Sequence, residues 1–218
     1  GGMREYIPTP GEPFQIPYLW LINHIGILYF TLHYMHDDLE GFGQQMILRS
    51  GSRPCWWISK CVWNGVEVLL FYLIAWGTVL FWASFRGASW SMEISPFMPD
   101  LMVVGPQQIA ESTWKISTEI TLLPMLVTFS LSLLQMLLCL VIRPTMSYVA
   151  SVVICIASAY YLSPFLLGNY AMALRSSKVI SNGVLMWNGL LYAFILIAIS
   201  VGLGLAFFRK TNIVNKED

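Results

Sequence analysis

The sequence predicts an all-α, polytopic membrane protein with about five transmembrane helices, and three observations carry that prediction. Hydrophobic residues make up 56% of the chain and charged residues only 11%, where a soluble domain carries about a quarter charged residues. Mean hydropathy is +0.63, with nine Trp among the aromatic residues. The apolar residues also gather into runs close to the roughly 20 residues needed to cross about 30 Å of hydrocarbon. The whole chain, residues 1–218, reads as a single transmembrane domain.

The spans follow in order. The first, about residues 17–35, is the least apolar because it holds Asn23, His24 and His33, while Tyr18, Trp20 and Tyr34 near its ends look like an interfacial aromatic belt. The second covers about 62–84, the third 118–142, the fourth 146–167 and the fifth 187–208. Between the second and third, Pro96, Pro99 and Pro106 break a mixed stretch too polar to span. The connection "IRPTM" after the third span is short enough to force an antiparallel hairpin, with Pro144 suited to the first turn of the next helix. Gly168 to Gly183, interrupted by small residues, reads as a pair of short helices dipping back into the outer leaflet.

Lys and Arg set the orientation. A cytoplasmic C-terminus puts Arg49, Arg53, Lys60, Arg143, Arg209, Lys210 and Lys216 inside, against Arg4, Arg86, Lys115, Arg175 and Lys178 outside. The expected location is therefore the plasma membrane, multi-pass, with the C-terminus in the cytoplasm. Net charge is zero and the basic residues form no extended face, which excludes nucleic acid as a partner. Cys55, Cys61, Cys139 and Cys155 have no zinc-knuckle or redox spacing and read as free, buried thiols.

Two stretches compete for the chemistry. "HYMHDD" places His33, His36 and Asp37 within one and a half turns, a geometry that could share a metal. Three histidines in the whole chain are few for a membrane metal centre, and no HExxH is present. The pair of Asp residues also suits the start of a following helix, where carboxylates complement the dipole. Ligand count therefore favours no metal. No GxSxG motif and no GK[ST] phosphate loop occurs, so any ATP must be held by another chain. Inside the spans, Glu67, Glu119 and Gln135 are the polar residues that could line a substrate path, Gln135 reading rather as a hydrogen bond between helices. Pro124 should kink the third span.

The second stretch, "LEGFGQQMILRSGSRPCWWISK", reads as a short amphipathic helix on the cytoplasmic face, a turn at Ser50-Gly51-Ser52, and a re-entry anchored by Trp56-Trp57 and Lys60. With its R-x-G-S-R-x-x-W-x-x-x-K pattern, carried by Arg49, Gly51, Ser52, Arg53, Trp56 and Lys60, this segment resembles the coupling helix of permease subunits in the six-span family of ABC drug and antimicrobial-peptide exporters. The short turn at Arg143-Pro144, the outer re-entrant helices and the basic C-terminal end resemble that family too, whereas its first span has no counterpart here.

The resemblance implies an exporter permease that takes energy from a separate ABC-type ATP-binding subunit, which would hold ATP and Mg, through a cytoplasmic coupling segment at 36–61. It further implies a second permease copy or a homologous permease, and no cofactor or catalytic residue in this chain. Apolar spans favour an amphipathic or hydrophobic substrate such as a peptide, drug or lipid. Two other classes stay open on the residues alone: a metal-dependent intramembrane enzyme using His33, His36 and Asp37, and a non-transporting immunity or sensor protein.

Overall fold

The computed structural model describes residues 16–32, 53–87, 113–177 and 183–210. Helices dominate them: α1 (Tyr18–Phe30), α2 (Arg53–Phe85), α3 (Thr113–Leu138), α4 (Pro144–Tyr160) and α5 (Met186–Lys210), with two short 3-10 segments at Leu167–Ala171 and Ala173–Arg175. The only β pairing among the described residues is an isolated bridge between Ser176 and Val184. Three helices are long and apolar enough to cross a membrane, over Pro54–Phe85, Glu119–Leu138 and Met186–Arg209. This is a membrane protein built on transmembrane helices.

The other two expected spans form shorter apolar helices, and local hydrogen bonding explains both. α1 has 13 residues, about 20 Å of helix. Its last turn tightens: the Leu32 N–H donates to Tyr29 O at 3.1 Å, while Leu28 O accepts from the Thr31 hydroxyl and the Gln135 amide instead. α4 has 17 residues and stops at Tyr160, seven residues before the expected end, because Tyr161 is extended and Pro164 follows. At its start Arg143 is the N-cap and Pro144 sits in the first turn, which closes the expected hairpin with α3. In the other direction, α2 begins at Arg53, nine residues earlier than the expected span, with Pro54 in its first turn. At 33 residues it is about 50 Å long, more than a bilayer core requires.

α3 is the central helix, touching α1, α2, α4, α5 and the first 3-10 segment. The burial pattern inverts that of a soluble bundle. Buried positions include Ser130, Ser132, Ser147, Ser151, Asn64 and Gln135, while Ile74, Phe81, Trp82, Trp187 and Leu203 are exposed. Lipid competes for large apolar side chains, so small and polar residues take the helix contacts.

Candidate functional site

Buried polar side chains from three helices are brought together where α1, α2 and α3 meet. On α3, Thr128 and Gln135 are seven residues apart and share a face, with Ser132 beside them. Asn64 Nδ2 donates to Ser132 Oγ at 2.6 Å, and the Tyr72 hydroxyl pairs with Thr128 Oγ1 at 2.7 Å and reaches Pro124 O at 3.2 Å. Gln135 Nε2 donates to Leu28 O at 2.8 Å and lies 3.3 Å from Thr31 Oγ1, tying α3 to α1. One turn above Leu28, the His24 ring sits against Trp20, with Nδ1 2.9 Å from Trp20 O. A carbonyl can only accept, so Nδ1 carries the hydrogen and Nε2 presents a lone pair. Asn23, next in sequence, is in hydrogen-bonding reach of the Tyr72 hydroxyl. The seam runs over about 10 Å of α3, from Thr128 to Gln135.

Its unpartnered buried atoms are of both kinds, since Trp20 Nε1, on the ring beside His24, is a donor without a partner. His24 Nε2, Asn64 Oδ1 and Gln135 Oε1 are buried without a hydrogen-bond partner. His24 Nδ1, Asn64 Nδ2 and Gln135 Nε2 each donate to a neighbour. On the same three helices Ile27, Val68 and Leu131 are buried apolar residues.

A second assembly lies at the N-terminal end of α2. Trp57 is fully buried, stacks on Phe208 with centroids 5.8 Å apart, and donates through Nε1 to Val201 O at 3.1 Å. Gly204 is what lets the indole approach, since a Cβ there would fall onto Trp57. Trp56 packs on the other side of Phe208 at 5.3 Å, and Lys60 Nζ lies 5.4 Å over the Trp56 ring. The beginning of α2 and the end of α5 are therefore clamped together.

A third lies past the end of α4. Leu167–Ala171 is buried throughout, and Arg175, fully buried, donates to the Ser158 and Ala159 carbonyls and to Asn169 Oδ1. Asn169 Nδ2 in turn donates to Tyr161 O and Ser163 O, each at 2.9 Å. Arg175 thus caps the free carbonyl end of α4, where the helix dipole favours a cation. Burial pulls its pKa down to about 10, which leaves it charged at neutral pH.

With this geometry described, one family model matches, over residues 8–214, under the description "Protein of unknown function (DUF2705)". The chain belongs to the DUF2705 family. No curated protein and no solved structure matches it.

In this DUF2705 chain the sequence-predicted residues fall in different places. Arg49, Gly51 and Ser52 lie outside the described residues, as do His33, His36 and Asp37. Arg53 opens α2, and Trp56 and Lys60 stand on its first two turns, so the end of the segment assigned to 36–61 is part of the long helix. The Trp pair lies inside the bundle, Trp57 wholly and Trp56 nearly so, because α5 offers Phe208 and the Gly204 notch. Glu67 is half-buried, about 100° around α2 from the Asn64, Val68 and Tyr72 face, so it does not join the seam. Glu119, near the start of α3, is also half-buried and far along the helix from Gln135. Gln135 is in the seam, where it joins two helices. Among the described residues no group of three or more His, Cys, Asp or Glu could hold a metal.

Sequence reasoning passed over His24, Asn64, Tyr72, Thr128 and Ser132 as site residues. The signal was the spacing of Thr128, Ser132 and Gln135 at four and three residues, which puts polar groups on one face of an apolar helix. Arg175, counted above only as an outer-side cation, is the other omission.

Proposed function

We propose that this chain is the membrane-spanning subunit of an ATP-driven exporter, one that moves an amphipathic or hydrophobic substrate outward with energy from a separate ABC-type ATP-binding subunit. The observation that carries the reading is the clamp between the start of α2 and the end of α5. The segment that resembles a coupling helix leads directly into α2, and α2 is locked by Trp56 and Trp57 onto the end of α5. A displacement of Arg53 would therefore move α2 and α5 as one body rather than be lost in a loop. Two such chains, or this one and a homologous permease, would enclose the path, with ATP and Mg held by the partner subunit and both the C-terminus and the coupling segment in the cytoplasm. The half-buried Glu67 is then placed to meet water or substrate near the cytoplasmic end of α2. Nucleotide-driven closure of the partner acts as a shift between two bundle arrangements, and it has effect only insofar as the partner binds them unequally.

The test is co-purification of the tagged chain with an ATP-binding subunit encoded beside it, followed by ATPase measurement in vesicles. Arg53→Glu should abolish the association, and Trp57→Ala should keep association but uncouple ATP hydrolysis from transport. Stable assembly of Arg53→Glu with full ATP-driven transport would refute the reading.

A further inference from the structure

We propose that one face of α2 is where a second copy of this chain docks, the two α2 helices lying parallel and side by side in the membrane. The inference rests on the exporter reading, which calls for a second permease, and names the surface and the partner. Its basis is Glu67. A core of roughly 20 residues laid anywhere along Pro54–Phe85 includes that position. The carboxyl there is half-buried, and among the described residues it has no hydrogen bond or ion pair. An ionisable group at such depth is costly against lipid and is found facing protein or water instead.

The exposed side of α2 is not uniform. At about 100° per residue, Val62, Leu69, Leu73 and Leu80 form one flank, exposed and wholly aliphatic, which suits lipid tails. Beside them Trp63, Glu67, Leu70, Ile74, Gly77 and Phe81 follow one another at steps of four and three residues, each exposed or half-buried in the single chain. That alternation is the spacing at which two parallel helices interlock in a left-handed pair. A Cβ at Gly77 would meet nothing, so the close approach that glycine allows between membrane helices is unused within the chain. In a two-fold pair the same patch is used by both copies, so a position on the axis meets its own counterpart. For Glu67 this identity satisfies the group. A protonated carboxyl donates one O–H and still accepts, so the two Glu67 side chains can hydrogen-bond each other across the axis. Trp63 of the second copy, the next position along the stripe, brings an indole N–H as a further donor. A lipid tail offers neither donor nor acceptor. Parting of the two helices would bare Glu67 to the path that the exporter reading places between the copies.

The experiment uses the purified full chain in phosphatidylcholine vesicles, without any ATP-binding subunit, so its failure is separable from failure of the coupling test. In a Cys55→Ser background, which removes the exposed natural thiol, a single cysteine is placed at Leu70, Ile74, Val62 or Leu69 and oxidised with copper phenanthroline. All four positions are exposed in the single chain. Leu70→Cys and Ile74→Cys should give a disulfide-linked dimer, whereas Val62→Cys and Leu69→Cys, on the aliphatic flank, should not. With Cys55 restored and labelled, energy transfer between copies during dilution with lipid reads the strength of association. Glu67→Leu should weaken it about three- to tenfold, the range for one hydrogen bond between membrane helices. Glu67→Gln, which keeps both a donor and an acceptor, should leave it close to that of the unaltered chain. Should Glu67→Leu not fold, the four-position pattern with Glu67 intact decides alone. Equal cross-linking at all four positions, a chain that stays monomeric in the vesicles, or unchanged association of Glu67→Leu would overturn the proposal.

Discussion

Arg175→Met should be among the most damaging single changes in the described part of the molecule. The Met side chain keeps much of the buried stem but supplies no donor. Ser158 O and Ala159 O, at the carbonyl end of α4, and Asn169 Oδ1 then lose the guanidinium. At about 1–3 kcal/mol for each buried acceptor left unsatisfied, the gross loss is about 3–9 kcal/mol. Against this, the variant no longer has to dehydrate a cation, which returns several kcal/mol. The net expectation is about 3 kcal/mol of destabilisation. Arg175→Lys keeps the charge but not the planar fork that reaches two carbonyls and an amide together, so it should fall between Met and wild type. The natural cysteines provide the assay, because Cys155 is fully buried on α4 and Cys61 nearly so. A thiol-reactive fluorophore reports their exposure during thermal unfolding in detergent. An Arg175→Met curve superimposed on wild type would refute the view that this cation holds the 3-10 segments to α4.

Other outcomes follow from the same contacts. Trp57→Ala empties the clamp and should cost about 3–5 kcal/mol by the same thermal assay. Gly204→Leu drives a side chain into that indole and should cost about 1–3 kcal/mol, with a shift in Trp emission showing the displaced ring. Gln135→Leu removes the bond to Leu28 O and should cost about 1 kcal/mol, read as a lowered unfolding midpoint. Cys55 is exposed while Cys155 is not, so a membrane-impermeant maleimide should label Cys55 in intact protein, and from the cytoplasmic side only if the proposed orientation holds.

Composition made the fold class legible, since no soluble packing could bury so much apolar surface. The ends of the helices were not. An apolar run says how much chain tolerates lipid, not where the backbone stops being helical. Tyr161 and Leu162 belong to the same run as α4, yet the helix ends at Tyr160 because Arg175 and Asn169, from the next segment, satisfy the carbonyls a longer helix would have used itself. Arg53 lies within a polar stretch, yet it is helical because Pro54 suits a first turn and Trp56 and Trp57 find α5 to pack on. Both boundaries are set by partners distant in sequence. The turn at Arg143-Pro144 was legible because its cause is local.

The seam shows why the candidate site was harder still to read. In a soluble helix the apolar face points inward, and a polar residue on it stands out. Here both faces are apolar, and the buried positions of α3 are marked by Thr128, Ser130, Ser132 and Gln135 scattered among Leu and Met. Thr and Ser in a membrane helix commonly return their hydroxyls to their own backbone, and Thr128 does so to Pro124 O at 2.8 Å. Their presence alone therefore distinguishes nothing. What distinguishes the seam is that Asn64, Gln135 and His24, on three different helices, each spend a donor on a neighbour and each keep an acceptor. That arrangement depends on which atom faces which carbonyl or hydroxyl, and no spacing rule carries it. The charged residues Glu67 and Glu119 drew attention in the sequence because a carboxylate in a span is expensive, but both lie away from the point where the three helices meet. In this bundle the polar groups at that meeting point are neutral ones.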